Sequence, residues 1–519
     1  MTERRSLWLT LALVAAFLAG GLVLLPVPFT RDQGIYAYVA WRWLGGAPPY
    51  LGSFDHKGPL LYLVYMAALK TSGGAMWGPN LFDLLARTAA VLMAWLLGRR
   101  LSGPRAALYV AVLTALPLFG VYNSCWWNAQ AETFMLPLIG LSAWLALDPR
   151  RRPAALAAAG LVAAQVAALK PTGLLHGAFL LAWIAASPAA GGRRWRDALS
   201  YGEGLAAGLA GWLGYFAAVG AAGAMWEVLV EFNAFHGAAS LAISEHPVRV
   251  FLGGADFVFT AIPLLFLPLF LRRPAAERRG FAVLFLLASF LQVALQLRFF
   301  LYHWLAVLPA AGLAAGIGLH RLHETLSARR RAAGAVAAAL ILLWLGYGYV
   351  NLWRMVVHSY RTGDYLHGRI TLAQYYARFS EAGPSGKGDF NLLGSAAAAD
   401  YLRHHVPAGG TVLVFGFEPL VNYLAARPAP TRFEIDYPLT FTPRSAAAAG
   451  LRERWRRQFL AEIAARPPAM VVVVENDQNA LESESSARQA EAFTEFRDWL
   501  QKNYQRADAI EDFTFYRRR

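Results

Sequence analysis

Cysteine is almost missing from this 519-residue chain: Cys125 stands alone, so no internal disulfide can form and no cysteine cluster offers a zinc site. Charge is scarce as well. Only 16% of the residues are Asp, Glu, Lys or Arg, against about 25% in an average soluble domain. Hydrophobic residues make up 57% and aromatic residues 13%, with a mean hydropathy of +0.37. A water-soluble core cannot hide that much apolar surface, and the same composition excludes a disordered, collagenous or disulfide-stapled chain. There is no internal repeat and no long low-complexity linker. No GxGxxG or Walker pattern follows either of the strand-like runs described below, which removes the usual nucleotide-binding signatures.

What the chain has instead is a series of apolar runs of near-spanning length. Eleven transmembrane helices are expected, near residues 7 to 26, 81 to 98, 106 to 122, 131 to 147, 154 to 169, 173 to 187, 202 to 221, 250 to 271, 281 to 297, 300 to 319 and 333 to 350. Many are rich in Ala and Gly, which lets helix backbones approach closely. The net charge of +15 would suggest nucleic acid in a soluble protein, yet its distribution points elsewhere. Residues 1 to 350 hold 27 Lys+Arg and 14 Asp+Glu, whereas residues 351 to 519 hold 21 and 19. Of those 27, 19 fall in alternate short loops: Arg4 and Arg5, Arg99 to Arg105, Arg150 to Arg152, Arg193 to Arg196, Arg272 to Arg279, and Arg321 to Arg331. The positive-inside rule makes that face cytoplasmic.

An odd number of spans then places residues 351 to 519 outside the cytoplasm, together with a long first loop over residues 27 to 80. Leu25-Pro26-Val27-Pro28-Phe29 lacks a small-residue cleavage site, so the first run reads as an uncleaved anchor. Two helical stretches in the loop, 33 to 46 and 59 to 72, are expected in the interface, since counting the second as a span would put every arginine cluster outside. Beyond Asn351 the pattern changes. Runs at 411 to 415 and 470 to 474 read as buried strands, and helical patterns at 394 to 405, 446 to 465 and 486 to 502 separate them. With a last strand pair near 507 to 516, the tail reads as a soluble α/β domain.

Ionisable groups are costly near a bilayer centre, so those that persist at span ends are candidates for function. They concentrate on the outer side. Asp32 follows the first span; Asp55, His56 and Lys57 lie later in the same loop; Asn128 and Glu132 begin the fourth span; Lys170 sits between the fifth and sixth; Arg298, Tyr302 and His303 begin the tenth. Each has a plainer explanation. Asp32 can pair with Arg31 or cap the helix starting at Gly34, Glu132 can complement a helix N-terminus, and the cations and Tyr302 can anchor the headgroup layer. Asp83 and Arg87, one turn apart, suit an intrahelical ion pair. His236 has no visible partner, and His404 and His405 read as solvated.

The segment RDQGIYAYVAWRWLGGAPPYLGSFDHKGPLLYL resembles the first outer loop of GT-C glycosyltransferases, in the branch of the protein O-mannosyltransferases and the lipid A aminoarabinose transferase. NAQAETFMLPL, LKPTGLL, RFFLYHWLAVLP and HHVPAGGTVLVFGFEPLVNYLAARP are similar to further segments of bacterial relatives, in the same order. The resemblance implies the GT-C fold in a bacterial inner membrane, with a periplasmic tail. It also implies inverting transfer of a monosaccharide from a polyprenyl-phosphate donor, of the undecaprenyl type, to a glycan, lipid or protein acceptor. Asp32 matches the family's catalytic aspartate, and Lys57 its phosphate-contacting lysine. Arg298 and Lys170 are expected to share the phosphate, and Asp55, His56, Asn128, Glu132, Tyr302 and His303 to line the substrate site.

The chain departs from the pattern in two places. Gln33 stands where the mannosyltransferases carry a second acid, and His56 where the aminoarabinose transferase carries Glu. A divalent metal on His56 with Asp55 or Glu132, and phosphate stabilisation by Lys57 and arginine alone, fit equally well, so the metal stays unassigned. Two other classes compete: a flippase or transporter of a lipid-linked sugar, and a non-catalytic subunit for envelope assembly. A transporter is expected to carry its polar residues near the midplane, whereas here they gather at one surface.

Overall fold

The computed structural model describes residues 2–23, 25–121, 129–187, 193–235, 276–297, 299–327, 334–340, 342–343, 362–379, 381–382, 388–479 and 481–519. Cys125, Asn128, His236 and Arg298, the run expected at 250 to 271 and half of that at 333 to 350 lie outside the described residues.

The first helix, α1 (Glu3–Leu22), begins at Thr2, whose hydroxyl accepts from the Arg5 N–H at 3.3 Å. Two 14-residue helices fill the first loop, α2 (Arg31–Leu44) and α3 (Pro59–Ser72). Proline opens α3, where its missing N–H is no loss, and Gly73 closes it in the left-handed region at φ 65°. Then come α4 (Trp77–Ser102), α5 (Pro104–Val121), α6 (Ala131–Ala146), α7 (Pro153–Leu169), α8 (Leu174–Ala186), α9 (Arg194–Ala218) and α10 (Ala222–Trp226). A π-helical turn, Glu227–Phe232, continues α10. After α11 (Ala276–Ala294), a 3₁₀ turn, Leu301–Val307, leads into α12 (Leu308–Ser327).

Among the described residues, three helical segments are long and apolar enough to cross a membrane: Glu3–Leu22, Trp77–Ser102 and Tyr302–Thr325. Five more are apolar but shorter: Pro104–Leu118, Ala131–Ala146, Pro153–Leu169, Pro171–Ala186 and Gly280–Ala294. The expected span at 202 to 221 falls in α9 and is in neither group; this helix opens with Arg194, Arg196, Asp197 and Glu203. The small residues act as expected where α7 and α9 cross. A Cβ on Gly160 would lie 2.0 Å from the Tyr201 carbonyl oxygen, and one on Gly204 would lie 1.9 Å from that of Ala157.

In the tail, α13 (Leu372–Ala377) precedes a small antiparallel pair, β1 (Glu381–Ala382) and β2 (Gly388–Phe390). The rest alternates: α14 (Leu392–His405), β3 (Val412–Phe415), α15 (Pro419–Ala425), α16 (Tyr437–Thr440), α17 (Ala446–Ala465), β4 (Met470–Val474), α18 (Ser486–Ala492), α19 (Thr494–Asn503), β5 (Tyr504–Ile510) and β6 (Phe513–Arg518). The sheet runs β3-β4-β6-β5, with β3 and β4 parallel and the other neighbours antiparallel. VLVF and MVVVV are buried throughout because helices cover both faces of these strands, while the edge strand β5 is largely exposed.

The tail packs directly on the first-loop helices. Phe54 stacks on Phe433 with centroids 5.5 Å apart and meets Trp455 edge-on at 4.9 Å. The Tyr38 hydroxyl accepts from the Ala429 N–H at 2.9 Å, and Arg42 donates to the Ala429 carbonyl at 3.3 Å. Glu227 of the π-helical turn binds Arg432 at 2.6 Å, Arg454 at 2.9 Å and the Trp455 indole at 2.8 Å. One apolar core therefore runs from the helical bundle into the tail.

Candidate active site

Asp32 lies in the first turn of α2. Both plainer explanations for it are displaced by its neighbours. Thr30 is the N-cap, and Gln33 reaches back to its N–H at 2.7 Å, so a capping box fixes the helix start without Asp32. Arg31 turns the other way, donating to Glu418 through Nε at 3.2 Å and Nη2 at 3.1 Å. The partly buried Asp32 carboxylate accepts no hydrogen bond from any described residue. Its surroundings are charged: Lys57, Asp55, Arg31 and Glu132 all act on it electrostatically. Burial is the strongest influence and, with help from Asp55 and Glu132, raises its pKa above 3.8 despite Lys57 and Arg31.

Lys57 is carried by the turn before α3, which is clamped to the end of α7. The Gly58 N–H donates to the Leu169 carbonyl at 3.1 Å, and a Cβ on Gly58 would stand 2.1 Å from the Ala168 carbonyl oxygen. Only glycine fits there. The Lys57 ammonium, which can only donate, lies 3.1 Å from His56 Nε2, so the ring proton belongs on Nδ1, 3.3 Å from Asp55 Oδ1. Asp55 is fixed by the Tyr62 hydroxyl at 2.7 Å and the His56 N–H at 2.8 Å. Burial alone would raise the Asp55 pKa. The hydrogen bond from His56, the charge of Lys57 and the Tyr62 hydroxyl outweigh it and hold Asp55 below 3.8.

The same clamp brings Lys170, which follows α7, beside this group. Its ammonium donates to Glu132 in the first turn of α6 and to Gln296, and lies 5.9 Å above the Tyr302 ring. His303 Nε2 is 3.9 Å from the Glu132 carboxylate, and its ring meets Tyr302 edge-on at 4.6 Å. Tyr36 links the two halves: its ring lies 5.9 Å from Lys57 Nζ, and its hydroxyl donates to Gln130, two residues before Glu132, at 3.2 Å. Asp32, Asp55, His56, Lys57, Glu132, Lys170, Tyr302 and His303 thus form one centre, although they come from five separate stretches of sequence. Lys170 is matched by Glu132, whereas no described carboxylate forms an ion pair with Lys57. Among the described residues no group of three His, Cys, Asp or Glu side chains is placed to hold a metal ion. Both His56 ring nitrogens are already engaged, which disfavours the ligand role considered for it.

Asp83 and Arg87 form a fully buried ion pair at 2.8 Å, and Arg87 also donates to the Leu118 carbonyl and the Thr133 hydroxyl, each at 3.3 Å. His404 and His405 are exposed and each bonds a backbone carbonyl one turn back; His404 also lies 3.7 Å from the Asp400 carboxylate, and His405 stacks on Tyr401 at 3.9 Å. The sequence reading missed Glu418, Glu434, Tyr62 and Gln296. Glu418 did leave a signal, as an acid inside the apolar run FGFEPLV.

The helical bundle, its first-loop helix pair and the tail packed over that loop fit the GT-C fold that the sequence led us to expect. No family model matches this sequence. Nor does any curated protein match it. Solved structures do. ArnT from Cupriavidus metallidurans bound to undecaprenyl phosphate is similar with a TM-score of 0.58 at 15% identity, covering 97% of both chains. The Archaeoglobus fulgidus oligosaccharyltransferase in its apo form gives 0.51 at 14% identity over 90% of this chain and 69% of that one. Arabinofuranosyltransferase AftD from Mycobacteria gives 0.51 at 15% identity over 100% of this chain and 40% of that one. The likeness is one of fold, shared with membrane glycosyltransferases.

Proposed function

We propose that this protein is an inverting glycosyltransferase that moves a monosaccharide from a polyprenyl-phosphate donor to an acceptor hydroxyl on the outer side of a bacterial inner membrane. The acceptor oxygen attacks the anomeric carbon while Asp32 takes its proton, and the bond from that carbon to the phosphate oxygen breaks. The lipid phosphate leaves with its negative charge beside Lys57. A positioned base is typically worth about 10²- to 10⁴-fold, and one preorganised electrostatic contact about 10²- to 10³-fold. Asp55 and His56 hold the lysine, and Glu132, Lys170, Tyr302 and His303 border the donor.

One observation carries this reading: among the described residues none donates a hydrogen bond to Asp32 and no carboxylate pairs with Lys57, in a single electrostatic environment, within a fold shared with glycosyltransferases. The ArnT structure bound to undecaprenyl phosphate supports a lipid-phosphate donor. Eleven spans with the arginine clusters in the cytoplasm complete the reading. The packing of the tail on the first-loop helices supports a common side for both. The test is incubation of the purified full-length protein with a panel of lipid-phosphate sugars and candidate acceptors, with products identified by mass. Wild-type protein should yield a glycosylated acceptor and free lipid phosphate. No product from any donor would overturn the class.

A further inference from the structure

Lys57 sits between two peptide planes, and both are held by groups beyond its own turn. A planar peptide moves as one unit, so fixing the carbonyl or the N–H at one end fixes the other. In the plane that follows Lys57, the Lys57 carbonyl accepts from the buried Tyr50 hydroxyl at 2.8 Å, and the Gly58 N–H donates to the Leu169 carbonyl at 3.1 Å. In the plane that precedes it, the His56 carbonyl accepts from Asn233 Nδ2 at 3.3 Å, across 177 residues of chain. Asn233 closes the π-helical turn Glu227–Phe232. Its backbone N–H donates to the Val230 carbonyl, and its side-chain amide donates to the Leu229 carbonyl at 3.1 Å. Both neighbours of that amide are carbonyl oxygens, which only accept, so its nitrogen faces them and its two hydrogens serve one each. The turn is itself anchored: Phe232 meets Phe54 edge-on at 5.2 Å, and Glu227 binds Arg432 and Arg454 of the tail. π-Helical turns of this kind recur at functional sites.

We propose that Asn233 is a positioning residue for the lipid phosphate: by fixing the peptide plane before Lys57, it sets the backbone angles from which the lysine side chain reaches the leaving group. Asn233 itself touches no reacting atom. This rests on the reading of Lys57 as the phosphate contact. The bond to Leu229 serves the turn, and the bond to His56 serves the loop that carries the lysine. The two roles are separable. A structural asparagine would matter equally whether or not residue 57 were a lysine, whereas a positioning one acts on phosphate only through that ammonium.

The experiment measures undecaprenyl phosphate binding to full-length protein in nanodiscs, for wild type, Asn233→Ser, Lys57→Ala and the double variant. A serine hydroxyl has one hydrogen and, in a helical turn, gives it to the carbonyl four residues back. Asn233→Ser therefore keeps a bond to Leu229 and loses the one to His56. It should raise Kd by about five- to ten-fold in the presence of Lys57. In the Lys57→Ala background the same substitution should change Kd by less than about two-fold. An unaltered Kd in Asn233→Ser, or an equal loss in both backgrounds, would overturn the proposal. If Asn233→Ser does not fold, Asn233→Ala, which removes both bonds, is taken through the same cycle with the same expectations. Should Lys57→Ala bind as wild type does, the reading of Lys57 falls and the proposal with it. Should Lys57→Ala weaken binding while the Asn233 variant does not, Asn233 alone is refuted.

Discussion

Asp32 and Asp55 both lie near Lys57, yet their surroundings drive them apart. Burial and neighbouring acids make Asp32 the more basic, while His56, Lys57 and Tyr62 keep Asp55 ionised. A base must be unprotonated to work, so the rate should rise with pH as Asp32 loses its proton. Its raised pKa places that acid limb above the ordinary aspartate value of 3.8. A profile of kcat/KM against pH checks this; an acid limb at or below that value would remove Asp32 as the base. The candidate residues themselves were legible in the sequence because charges at the ends of apolar runs are rare. Their partners were not. Nothing near Arg31 in the chain announces Glu418, and nothing near Lys170 announces Gln296.

At the scale of elements, the two first-loop helices position the centre. The sequence placed α2 near Gly34 with Asp32 as a candidate cap, because Asp is a favoured capping residue. The helix instead begins at Arg31, since Thr30 and Gln33 satisfy its first turn reciprocally. Strands β3 and β4 were readable as unbroken apolar runs, and α14 and α17 as helical patterns beside them, whereas the pattern at 486 to 502 is two helices, α18 and α19, parted at Phe493. The π-helical turn at Glu227–Phe232 had no sequence signal, because it shares its residue preferences with the helix that it continues. The clamp between the Lys57 turn and α7 gives a direct prediction. Gly58→Ala should force the two backbones apart, lowering stability by about 1–3 kcal/mol and raising KM for the donor through displacement of Lys57. Thermal unfolding in detergent and donor kinetics would check it. Unchanged values in both would show that the clamp does not set the lysine.

At the scale of the molecule, the tail is bound to the bundle through buried polar contacts, and one of them is sensitive to pH. Glu434 accepts from the Phe54 N–H at 2.6 Å, and burial raises its pKa to about 8 from an ordinary 4.5. Between those values the folded protein retains a proton that the unfolded chain releases, so stability should fall as pH rises from about 4.5 to about 8. Glu434→Gln, which keeps the acceptor and removes the titration, should flatten the thermal midpoint over that interval. An identical slope in the variant would exclude Glu434 as the source. The account as a whole is tested most directly by measuring donor affinity and single-turnover transfer for Asp32→Asn and Lys57→Ala side by side. The prediction is a split: Asp32→Asn binds the lipid-phosphate sugar as wild type does but transfers it at least about 10²-fold more slowly, while Lys57→Ala loses donor affinity. Transfer at the wild-type rate by Asp32→Asn, or unaltered donor affinity and turnover in Lys57→Ala, would contradict it.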